Sequence, residues 1–224
     1  MRPNNGGWTG LPHVEYELAA EYAGQQYIRP GAVCENMAHK PVVLVLGNQL
    51  LLAVDPQYPR AQRFKVRHHT VEAVTEIVAQ LAPPPDQWMQ NVPAGAESAL
   101  DVFAGFVMLD AWIANQDRHH EDSEREDRLT SKNRNRSIAA FVERGRSAFY
   151  ASPADTRPLE LHEAFRAFAQ RTVGAAGAWL HRLQTVKREE ISAILEKVPA
   201  NRMSETCKRF TVELLLANQR RLLT

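Results

Sequence analysis

A chain of 224 residues, 44% hydrophobic and 24% charged, carries enough apolar material for one sizeable core, and that balance excludes disorder throughout. Its formal net charge of +1 argues against a strongly electrostatic nucleic-acid binder, though it leaves room for a local basic patch. Two cysteines, Cys34 and Cys207, are too few for a disulfide scaffold or a zinc site and read as free thiols in a reducing cytosol.

In chain order, residues 1–7 lack the apolar core of a signal peptide, and the apolar runs at 42–46 and 50–54 are too short to span a bilayer. The expectation is a cytoplasmic chain with no membrane partner. Gly6, Gly7 and Gly10 sit in a glycine-rich lead-in. No strand precedes them and no Lys-Ser/Thr follows, so they do not make a phosphate-cradling loop. β-branched and aliphatic residues between Gly and Pro punctuation predict strands over 14–18 and 41–54, with a third inside 25–40. A basic connector follows over 60–69. Thr70 is placed to N-cap a helix over 71–81, with Val71, Val74, Ile77, Val78 and Leu81 on one face and Pro83, Pro84 and Pro85 ending it. Ser98 opens the next helix, apolar nearly all round through Leu100, Phe103, Phe106, Val107 and Ile113, which predicts a central position.

The composition then changes: ten of the eighteen residues over 119–136 are charged, as in an exposed loop or a short solvated helix. Beyond it the apolar spacing predicts helices over 137–146, 159–171, 173–183, 188–197 and 204–222, with Pro153, Pro158 and Pro199 between elements. The implied architecture is α-rich α+β: a small N-terminal sheet within residues 1–69, then a helical lobe over 70–224.

The chemistry concentrates where the central helix ends, at Asn115, Gln116, Asp117, Arg118, His119, His120, Glu121 and Asp122. A carboxylate such as Asp117 at a helix end, beside a basic residue and two histidines, suits a general base or a cation ligand. The alternative is that Asn115 and Asp117 simply exit a helix, as Asn and Asp often do. A zinc hydrolase reading fails on spacing, because adjacent histidines on a helix point about 100° apart and there is no H-E-x-x-H. His68 and His69 read as a surface pair, and Ser147 as an exposed helical serine. Nine basic against five acidic residues over 182–224 read as the wet face of packing helices rather than a nucleic-acid surface.

Asn115-x-Asp117-Arg118-His119-x-x-Asp122 resembles the catalytic loop N-x-D-R-H-x-x-N of the HipA-like and phosphatidylinositol-kinase-like branches of the kinase superfamily. The segment from Gly10 through Pro12 to Ala19 resembles the approach to that family's interlobe hinge. Leu46-Gly47-Asn48-Gln49-Leu50-Leu51 and the surroundings of Gly145, Arg146, Ser147 and Tyr150 also resemble bacterial HipA-like proteins, so the likeness covers about 10–198. It implies a serine/threonine protein kinase using ATP and Mg2+, with a protein substrate or an antitoxin-like partner. It further implies Asp117 as the catalytic base, His119 supporting the loop, Asn115 and Asp122 near the nucleotide, and Asp122 on the metal where the family carries Asn.

Two departures qualify this. The family's Asp-x-Gly metal segment has no counterpart, since neither Asp-Gly nor Asp-x-Gly occurs in the chain. Before the loop the only lysines are Lys40 and Lys65, neither placed like the family's phosphate-positioning lysine, as though the chain began near the hinge. Phosphoryl transfer depends on positioned cations and metal, so the resemblance implies a helical kinase-like lobe with impaired catalysis. A substitute carboxylate among Glu121, Glu124 and Asp127 would restore a metal site. The other readings are a non-catalytic, partner-binding kinase lobe and a nucleic-acid-associated helical module.

Overall fold

A computed structural model of the chain describes residues 9–36, 45–62, 64–116, 118 and 146–224. The N-terminal sheet is a two-stranded antiparallel hairpin, β1 (Tyr16–Ala23) and β2 (Gln26–Cys34). Gly24, at a φ of +63°, takes the first position of the two-residue turn, where a side chain would be strained. The register skips Ile28, with Glu21 opposite Arg29 but Tyr22 opposite Tyr27, which makes a bulge. The guanidinium of Arg202 donates to the carbonyls of Ala19 and Gly31 and so ties the hairpin to the helical body.

The expected strand over 41–54 is corrected from Gly47 onward: Gly47–Val54 is a helix, α1, while residues 41–44 lie outside the described residues. Leu50, Leu51, Leu52 and Ala53 are helix formers without a branch at Cβ, and a short apolar run cannot be told from a strand by periodicity alone. The Gln49 amide oxygen decides the matter locally by accepting from the Leu46 N–H at 3.2 Å, and Asn48 and Leu51, three apart, take the buried face. The strand expected inside 25–40 is β2, and β1 starts at Tyr16 rather than at residue 14.

Helix α2 (Val71–Val78) starts as expected at Thr70, whose hydroxyl accepts from the Ala73 N–H at 3.1 Å. It stops three residues early. The N–H groups of Gln80 and Leu81 reach back only three residues, and Leu81 turns out to solvent. The single turn α3 (Asp86–Met89) follows the prolines. Helix α4 (Ala99–Ile113) is capped reciprocally: the Ser98 hydroxyl accepts from the Asp101 N–H, and the Asp101 carboxylate accepts from the Ser98 N–H.

An extended segment at 146–150 then runs between two others. Tyr150 bonds to His69 and Val71, while Ser147 and Phe149 bond to Leu159. The helix expected over 137–146 lies outside the described residues except for Arg146, which makes an isolated bridge to Glu160. The last four helices, α5 (Leu161–Ala169), α6 (Val173–Thr185), α7 (Arg188–Glu196) and α8 (Glu205–Leu223), fall where the spacing places them.

α4 packs against α2, α5, α6 and α8 and is the axis of the core. Gly105 lets α6 approach it: a Cβ there would sit 2.5 Å from Cε2 of the fully buried Trp179. The Trp179 indole N–H is satisfied by the Asp101 carbonyl at 2.9 Å, and that of Trp112 by Leu215 at 3.1 Å. Gln219 of α8 donates to the carbonyls of Leu183 and Val186, covering the open end of α6. Leu11, Leu51, Tyr58 and Val66 join this same core from the N-terminal part of the chain. No described helix is long and apolar enough to cross a membrane.

Candidate functional site

One carboxylate is buried in the last turn of the apolar axis. Asp110, 4% exposed, lies on α4 among Val107, Met108, Ala111 and Trp112. Its backbone carbonyl accepts from the N–H groups of both Ala114 and Asn115, the latter at 2.8 Å. Ala114 adopts the left-handed region, φ +59° and ψ +34°, which reverses the chain at the helix end and costs a non-glycine residue about 1 kcal/mol.

The side chain of Asp110 continues the same work. One oxygen accepts from the Asn115 amide at 2.9 Å and from Nη2 of Arg118 at 3.1 Å, and the other accepts from Nε of Arg118. Arg118 also lies over the rings of Phe103 and Phe106, with its guanidinium carbon 5.8 and 5.6 Å from their centroids. A fork-shaped cation held by a carboxylate and two ring faces is fixed in orientation as well as in position. Asp110 thus latches the turn from both sides of residue 117.

The latched turn borders a cleft of about 720 Å3 between α1, α2 and α4, with Leu50, Val74, Ile77, Phe103 and Phe106 in its walls and Asn115 and Arg118 among its polar members. No carboxylate and no lysine lines it among the described residues. Asp110 faces Arg118 and Asn115, so both of its oxygens are already engaged. An apolar floor with a few fixed polar groups suits a flat, largely apolar ligand such as a nucleobase. It does not suit a metal-chelated triphosphate, which needs oxygen ligands for the metal and several positioned cations, where Arg118 is the one arginine or lysine among the described lining and is already paired with Asp110. The described residues therefore do not fit Mg-ATP as a whole.

Of the expected site residues, the structure places Asn115 at the cleft. Asp117, His119 and Asp122 lie outside the described residues, as do the substitute carboxylates Glu121, Glu124 and Asp127. Two expectations nearby are corrected. His69 is buried, 5% exposed, stacked on Phe149 at 4.8 Å and 3.0 Å from the Ala148 carbonyl through Nδ1. Ser147 is buried and extended rather than exposed and helical: its hydroxyl donates to the Leu159 carbonyl at 2.9 Å and accepts from the Phe149 N–H. Both follow from the pairing of 146–150 with segments distant in the chain, which no local spacing reveals.

Asp110 has no role in the sequence reading. Its signal was present all the same, as the one charged residue in the buried part of an apolar helix, where a charge persists only with partners. Away from the cleft, Glu160, His162 and Glu163 bring ligand atoms within 4.8 Å of one another, but Arg221 already occupies Glu160 at 3.0 Å. Comparison with protein-family models, curated proteins and solved structures finds nothing that matches this chain.

Proposed function

We propose that the chain is the helical lobe of a HipA-like serine/threonine kinase whose phosphoryl transfer is impaired, acting through what its surfaces bind rather than through turnover. The observation that carries the reading is the Asp110 latch. It holds Asn115 and Arg118, the described neighbours of Asp117 in the N-x-D-R pattern, beside an apolar cleft large enough to admit a nucleobase. In the proposed ancestry Asp117 is the base that takes the substrate hydroxyl proton, with Asn115 beside the nucleotide; His119 supports the loop and Asp122 stands on the metal. Impairment follows from the missing Asp-x-Gly segment, together with a cleft whose described lining offers no carboxylate. The chain would therefore serve as a partner-binding scaffold derived from an enzyme.

Adenosine separates this from a reading with no kinase ancestry, because it needs neither metal nor phosphate contacts. Saturation-transfer NMR should show adenosine contacting the protein at millimolar concentration, with the signal lost in Leu50→Arg, which puts a charge into the cleft wall. Folding of the variant is checked by circular dichroism. A signal equal in both proteins, or none in either, contradicts the kinase-lobe reading.

A further inference from the structure

A second groove, of about 710 Å3, lies between the 60–69 connector and the extended segment at 146–150, and shares only His69 with the cleft at α4. Its rim is built rather than left loose. The Gln62 amide donates to the carbonyls of Phe64 and Lys65 at 2.8 and 3.1 Å, which folds the connector back on itself. Val66 plugs into the core at 4% exposure, and Lys65 takes a φ of +55°, a conformation uncommon outside glycine. Lys65 and Arg67 therefore flank an anchored residue, and both line the groove in exposed positions.

What the groove offers is donors. Neither Lys65 nor Arg67 makes an ion pair with any described residue, and no carboxylate is among the groove's described lining. Tyr150 lines the groove while 3% exposed, and among the described residues its hydroxyl makes no hydrogen bond, although both its backbone groups are paired. Although the ring is buried, the Tyr150 hydroxyl is not sealed from solvent, so it remains reachable as a donor at the groove. Two cations with no ion-pair partner among the described residues, beside a reachable hydroxyl, call for an anionic acceptor. Phe64, 48% exposed on the same rim, adds an apolar anchor. The volume exceeds that of a single carboxylate or phosphate.

We propose that this groove docks an acidic segment of a protein partner, its carboxylates on Lys65, Arg67 and the Tyr150 hydroxyl and an apolar side chain against Phe64. Nucleic acid is the less suited polyanion, because phosphate tracking needs a continuous run of cations and the chain carries a net charge of only +1. The site is separate from the cleft at α4, so its test uses neither adenosine nor ATP and its outcome leaves the kinase-lobe reading untouched.

The probe is a fluorescein-labelled peptide of glutamates with one central leucine, followed by fluorescence anisotropy against the full chain. A lysine peptide of the same length and a short oligothymidylate are run beside it. The peptide should bind and weaken with added salt, and the double variant Lys65→Glu/Arg67→Glu should lose about tenfold in affinity or more. Tyr150→Phe, which keeps the ring and the backbone pairing, should lose about threefold. Circular dichroism melts matching wild type show that the variants fold. No binding by the glutamate peptide, equal affinity in wild type and the double variant, or tighter binding of oligothymidylate overturns the proposal.

Discussion

At the scale of single residues, Asp110 does most to define the site. A carboxylate this deeply buried persists because both of its oxygens are filled by Asn115 and Arg118, and because its backbone carbonyl takes the two N–H groups that end α4. Replacing it by Ala leaves a guanidinium and an amide without their partner. Arg118 is about one-third exposed and recovers some hydration, which places the cost toward the lower end for a broken buried pair, about 3 kcal/mol. Asp110→Ala should therefore lower Tm by about 10 °C in a circular dichroism melt. Asp110→Asn, which keeps the volume and one acceptor, should lose less. A melt unchanged in Asp110→Ala would mean that Arg118 is not held as described. His69 and Ser147 show the limit of local reasoning at this scale, since both look like surface side chains until residues 146–150 pair with 69–71 and 159.

At the scale of elements, the helices that carry a cap, an apolar face and a proline stop were legible in advance. Thr70 and Ser98 start α2 and α4 with hydroxyls on the N3 N–H groups, and the apolar spacing places α5 to α8. α1 was not legible, because eight residues of mixed Gly, Asn, Gln and Leu satisfy neither period firmly, and a strand was expected there instead. The fit of α4 against α6 rests on a side chain that Gly105 lacks. Gly105→Ala would press a methyl group into Trp179 and Leu11, at 2.5 and 2.8 Å, and should cost about 1–3 kcal/mol, read as a lower denaturation midpoint.

α5 and α8 meet through a titrating group as well. Burial, then the charge of Arg221, holds His162 below the usual imidazole value of 6.5, against the opposing pull of Glu160 and Glu163. The folded state therefore prefers the neutral ring. Its contribution to stability is complete above about pH 6.5 and is lost as pH falls through the lower folded value. Tm should fall on going from pH 7 to pH 5, and His162→Gln should remove part of that fall. Identical pH profiles for the two proteins would assign the acid sensitivity elsewhere.

At the scale of the whole molecule, composition and apolar spacing were sufficient for the α-rich α+β class with a small N-terminal sheet. They could not supply the arrangement of α1, α2 and α4 around a cleft, because that depends on contacts between distant segments. Of the candidate site, Asn115 and Arg118 of the N-x-D-R pattern lie at the cleft, whereas the carboxylate that organises the turn sits five residues before Asn115 inside the apolar run and carries no motif. In the proposed reading, the turn held by Asp110 belongs to a kinase-derived lobe, and no carboxylate or lysine lines the cleft among the described residues to serve phosphoryl transfer.

Thermal melting with and without millimolar Mg-ATP measures that claim most directly. A ligand at about a hundred times its dissociation constant would stabilise the fold by about 2.7 kcal/mol, a shift of several degrees. The account predicts that Mg-ATP leaves the midpoint where adenosine alone leaves it, with no further gain from magnesium and triphosphate. A shift of several degrees that requires magnesium and disappears in Asp122→Ala would contradict it, and would assign a rebuilt metal site and a working nucleotide cleft to this chain.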